Sequence, residues 1–175
     1  MRNTIARLAD GIDRITAGVG RWAVGCSLYI VIAEFAVVVM RYALGLGSIR
    51  LQESVIYAHA ALFMLAAAWT FQEDGHVRVD IFYIRATPRI RALIDLLGAV
   101  FFLLPFTVTL MIVALPYVER SWSILEGSPQ PSGLPFVYVL KTLIPLFAVL
   151  LGLQGVAQAM RAVLVLSGAP RQPSH

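Results

Sequence analysis

Charge is what this sequence has least of. Only 14% of its 175 residues are Asp, Glu, Lys or Arg, while 59% are apolar, and the mean hydropathy is +0.78. That balance excludes an ordinary soluble domain, in which about a quarter of the residues are charged. Cysteine is almost missing as well. Cys26 is the single one, which rules out an intramolecular disulfide and a metal site built on several thiols. The histidines are His59, His76 and His175, and only His59 falls inside an apolar stretch. A haem held within a helical bundle needs two facing axial ligands, so the membrane anchor of a redox complex is disfavoured. A glycine-rich phosphate loop and a nucleophile–base set are lacking too. These absences predict no enzyme, no cofactor and no metal site.

What fills the chain instead is four apolar stretches, Trp22–Tyr42, Val55–Phe71, Leu93–Val118 and Phe136–Leu166. Each is near or above the ~20 residues that a helix rising ~1.5 Å per residue needs to cross ~30 Å of hydrocarbon. The expected fold is an all-α membrane protein with four transmembrane helices. An amphipathic helix precedes the first span, and a short interfacial helix joins spans two and three. The chain divides into an amphipathic interfacial helix over 1–21, a four-helix transmembrane domain over 22–168 and a flexible C-terminal tail over 169–175. The first segment is not read as a signal peptide, because Asp10 and Asp13 interrupt its basic region. Its apolar stripe, Ile5, Leu8, Ile12, Ile15, Val19 and Trp22, recurs at helical spacing, with the charges mostly away from it.

The few cations are unevenly placed. Ten of the fourteen Lys and Arg residues lie before span one, between spans two and three, or at the end of span four. Arg41, Arg50, Arg120 and Lys141 lie on the other side. Excess positive charge marks the cytoplasmic face, so a bacterial inner-membrane protein with both termini cytoplasmic is expected. The net charge of +4 then reflects contact with an anionic lipid bilayer, not with nucleic acid.

Polar residues inside the spans are the candidates for function. Glu34 stands about 12 residues past Trp22, or ~18 Å along a helix, which suggests mid-membrane depth. It reads as a proton- or cation-binding carboxylate or, preferably, as a structural group, either neutral or hydrogen-bonded to another helix. Ser27 and Arg41 lie one heptad to either side. Gln154, Gln158 and Arg161 share a stripe on span four and read as interhelical glue, with Gly155 and Ala159 on an adjacent face. Thr87-Pro88 has the signature of an N-cap and first helical position. From there the helical pattern runs to about Leu125, roughly 57 Å by the standard rise, so span three tilts or projects, with a bend at Pro105 or Pro116. The connection Glu126–Pro135 is too rich in Pro and Gly for helix.

The order Arg41-Tyr42, Gln52-Glu53 and Gly75-His76-Val77-Arg78-Val79-Asp80 resembles the small membrane subunit of tripartite ATP-independent periplasmic transporters. The second half is similar to the same family through Glu126-Gly127-Ser128, Ser132-Gly133-Leu134-Pro135, Lys141, Ile144-Pro145-Leu146 and Leu153-Gln154-Gly155. Leu51 departs from the tryptophan that many relatives carry before the Gln-Glu pair. The resemblance implies a sodium-coupled, binding-protein-dependent secondary transporter for organic acids. This chain would act as scaffold for a large multi-span membrane subunit that carries the substrate, with a periplasmic substrate-binding protein as third component. Glu34, Arg41, Gln52, Glu53, His76, Arg78, Asp80, Gln154 and Gln158 are the candidate interface or structural residues, with Arg78 and Asp80 expected to pair with each other or with the large subunit. The leading rival is a small proton-coupled four-helix exporter using Glu34, disfavoured by the length of span three.

Overall fold

The computed structural model describes residues 2–76, 83 and 85–168, and among these every regular element is a helix. Helix α1 spans Arg2–Ala43, α2 Ile49–Gln72, α3 Pro88–Gly98, α4 Leu104–Ser123 and α5 Val137–Leu166, with a π-helical turn over Ala99–Leu103 joining α3 to α4. Four spans result, because α3, the π turn and α4 form one helical rod, Pro88–Ser123. Residues 77–82, most of the expected interfacial helix, and the tail over 169–175 lie outside the described residues.

The expected boundary near Trp22 is absent from the backbone. Residues 2–43 form one unbroken 42-residue helix, ~63 Å long by the standard rise. No proline interrupts it. Val19 of the apolar stripe packs against the core, but the fully buried positions of this helix are small residues. Leu8, Ile15 and Trp22 are exposed, whereas Ala9, Thr16, Gly20 and Ala23 are buried. Between membrane helices the hydrophobic effect gives no preference for bulky contacts, so small residues that let backbones approach take the interface. Gly20 demonstrates this, since a Cβ there would come within 2.6 Å of Trp69 Cβ. Trp69 is half-buried over that glycine.

The ends of the helices follow local chemistry. Gly45 takes a left-handed conformation (φ +66°), and Leu46 donates its N–H to the Met40 carbonyl at 2.9 Å, ending α1. Ser48 caps α2, accepting from the Leu51 N–H, and Thr87 caps α3 with Pro88 in the first turn. The third rod deviates ahead of Pro105. That ring nitrogen cannot donate to the carbonyl four residues back, and Leu104 N–H bonds Ala99 O, five residues back. This π turn lies against α5, where a Cβ on Gly155 would meet Leu103 Cδ2 at 2.8 Å.

Candidate functional site

Two polar tiers tie the helices together, one at each end of the bundle. At the end holding the N-terminal part of α1, Asp13 and Thr16 are three residues apart and face α5. Thr16 is fully buried and Gln154 is 1% exposed. The Thr16 hydroxyl lies 3.1 Å from Gln154 Oε1 and 3.0 Å from Gln72 Oε1, joining α1 to both α5 and α2. The Gln154 amide donates to Asp13 Oδ1 at 3.0 Å, and the Arg161 guanidinium donates to Asp13 Oδ2. Asp10 lies 3.8 Å from the same guanidinium. The acceptors of a carboxylate and the donors of an amide and a guanidinium are thus matched at a part-buried helix crossing.

The opposite tier clasps α2 to the loop after α4. Glu53, in the second turn of α2, accepts from the Ser128 hydroxyl and from the Leu134 N–H at 2.6 Å. The loop closes on itself through Ser128 N–H to Leu134 O and Gly133 N–H to Gln130 O, both 3.0 Å. Gly133 is where the carboxylate enters, since a Cβ there would stand 2.7 Å from Glu53 Oε1. Beside it, Leu125 holds a positive φ of 46° that turns the chain so that Glu126 N–H reaches Ser121 O at 3.0 Å. The Glu126 carboxylate accepts from Lys141 Nζ and from the Ser121 hydroxyl at 2.7 Å. The Lys141 bond, then the Ser121 bond, hold the Glu126 carboxyl below its ordinary value, with partial burial opposing them. Lys141 also lies over the Tyr117 ring, 4.1 Å from its centre. Trp122 Nε1–H donates to Thr142 at 2.9 Å, completing the α4–α5 seam. On α2, Glu53 and Gln72 are 19 residues apart, ~28 Å along the helix, close to the thickness of a hydrocarbon core.

The sequence candidates are distributed as follows. Glu53 and Gln154 sit at the centres of the two tiers. Arg41 and Gln52 are exposed and line an open cleft under the α1–α2 turn. His76 is exposed and donates Nε2–H to the Ala67 carbonyl at 3.3 Å, folding the turn back over α2. Gly75 permits this, because a Cβ there would come within 3.2 Å of the Thr70 carbonyl. Gln158 is half-buried and makes no side-chain hydrogen bond among the described residues. Arg78 and Asp80 lie outside the described residues.

Glu34 is neither central nor bonded to another helix. It is exposed on the outer face of α1 and has no hydrogen bond or ion pair among the described residues. Nor is it halfway along the bundle. Residue 16 meets 72 and residue 20 meets 69, so in this antiparallel pair Glu34 falls level with Ser54, next to Glu53.

Sequence reasoning missed Asp13, Thr16, Gln72 and Gly20. Asp13 carried a usable signal: with Thr16 it makes an i,i+3 polar pair, at the same end as the Gln154–Arg161 stripe. Reading the segment as a helix lying on the membrane surface set its charges away from the apolar stripe, and so away from any contact with α5.

Four membrane-length helices, tied at both ends by contacts among their own polar groups, define a small multi-pass membrane subunit. The chain belongs to the family described as tripartite ATP-independent periplasmic transporters, DctQ component, whose model matches residues 30–165. No curated protein and no solved structure gives a match. Membership makes this chain the small membrane subunit of such a transporter, a multi-pass inner-membrane protein, and implies partnership with two other components.

Proposed function

We propose that this subunit is the stationary scaffold of a sodium-coupled transporter for organic acids. The large membrane subunit carries the substrate across, and the periplasmic binding protein delivers it. The observation that carries the reading is the double tie. Glu53, Glu126, Lys141, Asp13, Gln154 and Arg161 spend their hydrogen-bonding capacity on fastening this bundle to itself. Groups engaged in this way suit a rigid support better than an ion site, which needs several convergent polar groups free for the ion. The exporter alternative loses its main support, since Glu34 faces outward instead of into a shared cavity.

Arg78 and Asp80 fit the same scheme as contacts to the large subunit or to each other, in the basic turn after α2. Reconstitution in liposomes tests the scheme. The complete transporter with its binding protein takes up substrate down an inward sodium gradient, and this chain alone takes up none. Uptake by this chain alone, or uptake by the complex indifferent to sodium, overturns it. In the same preparation Arg78→Ala and Asp80→Ala each reduce recovery of the large subunit. If the two pair with each other, the double variant loses less than the sum of the singles. Normal recovery with both single variants removes them from the interface.

A further inference from the structure

Glu34 is the one acidic residue in the apolar part of α1, and nothing within the bundle accounts for it. The residues around it on the outer surface, Val31, Phe35 and Val38, are large, apolar and exposed, Phe35 by 70%. Ser27, one heptad before it, needs no outside partner, because its hydroxyl donates to the Val24 carbonyl at 2.6 Å. Only the carboxylate is left without a donor.

Its depth can be set in two ways, and each calls for protein on this surface. If the two polar tiers bracket the hydrocarbon, the membrane edge lies near Glu34. Phe35, Val38, Val39, Tyr42, Leu44 and Leu46 then stand beyond that edge. All are exposed, Tyr42 by 84%, a concentration of large apolar side chains within twelve residues that water does not normally face. If instead the apolar run of α1 itself sets the edge, at Met40, the hydrocarbon covers that patch. Glu34 then lies six residues inside, ~9 Å, where an unpaired carboxylate is strongly disfavoured. Lipid and water together satisfy neither arrangement. A neighbouring helix that buries the patch and offers a hydrogen-bond donor satisfies both.

We infer that the outer face of α1 from Val31 to Leu46 is where the large membrane subunit docks, and that one of its helices places a hydrogen-bond donor against Glu34. This rests on the scaffold reading and adds to it the face used and the chemistry of the contact. The occupant is a transmembrane helix with an apolar surface and one donor, cationic or amide, at the depth of Ser54.

The experiment uses the assembled complex, with a photoreactive phenylalanine analogue placed at Phe35 and, as a comparison, at Phe102. Phe102 is 77% exposed on the third rod. The expected result is a covalent adduct with the large subunit from position 35 and none from position 102. Glu34→Leu is expected to weaken retention of the large subunit about tenfold or more, the size of effect that accompanies loss of a charge-assisted hydrogen bond. Glu34→Gln, which keeps an acceptor, is expected to retain most of it. Adducts from position 102 but not from 35, or unchanged retention with Glu34→Leu, overturn the inference while leaving the scaffold reading intact. Failure of the wild-type chain to co-purify with any large subunit overturns both.

Discussion

At the scale of single residues, the clasp depends on what is small as much as on what is charged. Gly133 has no side chain where one would collide with Glu53 and Ser128. Replacing it with alanine forces the loop away from α2 and exchanges two hydrogen bonds to Glu53 for water. A cost of about 1–3 kcal/mol is expected, typical of an overpacked site, read as a lower unfolding temperature in detergent. An unchanged transition would show that the loop tolerates a Cβ and that the clasp is loose. Glu126 makes the same tier pH-dependent. Its carboxyl is held below the ordinary value by Lys141 and Ser121, so the folded form binds the proton less well than the unfolded chain. Its stabilising contribution is therefore complete above the ordinary glutamate value of about 4.3 and is lost as pH falls from there through the depressed value. A thermal scan in detergent at descending pH is expected to show this acid limb, and Glu126→Gln to flatten it. A limb of equal steepness in the variant would assign the acid sensitivity to other carboxylates.

At the scale of elements, the length of α1 needs a fastening, and the Asp13 tier supplies it. A helix of 42 residues extends well past α2, which ends level with Thr16. Asp13 attaches the free part to α5 through Gln154 and Arg161. Asp13→Ala leaves the buried Gln154 amide and the Arg161 guanidinium each short of an acceptor, a loss of about 1–3 kcal/mol. Hydrogen exchange is the discriminating measurement, with faster exchange expected in the first four turns of α1 and little change beyond Ala23. Uniform acceleration along α1 would mean that the tier supports the whole bundle instead of anchoring the arm. The π turn is the other feature at this scale. Pro105 explains why the ladder gives way, and Gly155 explains why α5 can follow the altered surface so closely.

At the scale of the whole molecule, the two tiers lie at opposite ends of the bundle, and the uneven placement of the arginines is the guide to their orientation. We propose that the Asp13 tier is cytoplasmic and the Glu53 clasp periplasmic. With Cys26 replaced, a cysteine at Ser132 is expected to react with an impermeant thiol reagent in intact cells exposed from the periplasm. One at Gly168 is expected to stay unlabelled until the cells are opened. The reverse pattern would invert the molecule and put the clasp out of reach of a periplasmic binding protein.

The sequence by itself determined the class of fold and most helix ends, because these depend on local properties. Apolar runs long enough to cross a bilayer, the Thr87-Pro88 start of α3 and the proline- and glycine-rich loop after α4 are each legible within a few consecutive residues. The ordered motifs Gln52-Glu53, Glu126-Gly127-Ser128 and Ser132-Gly133-Leu134 were visible too, and with them the family. What only the tertiary structure decided was which polar groups meet. Glu53 and Leu134 are 81 residues apart in sequence, and Asp13 and Gln154 are 141 apart. Their meeting depends on how far two antiparallel helices slide past each other and which face each turns inward. In a bilayer that face cannot be inferred from hydrophobicity, because lipid accepts bulky apolar side chains as readily as another helix does. The same reason explains both surprises on α1: small residues drew Asp13 and Thr16 into the bundle, and the packed face that takes in Ala33 leaves its neighbour Glu34 outside.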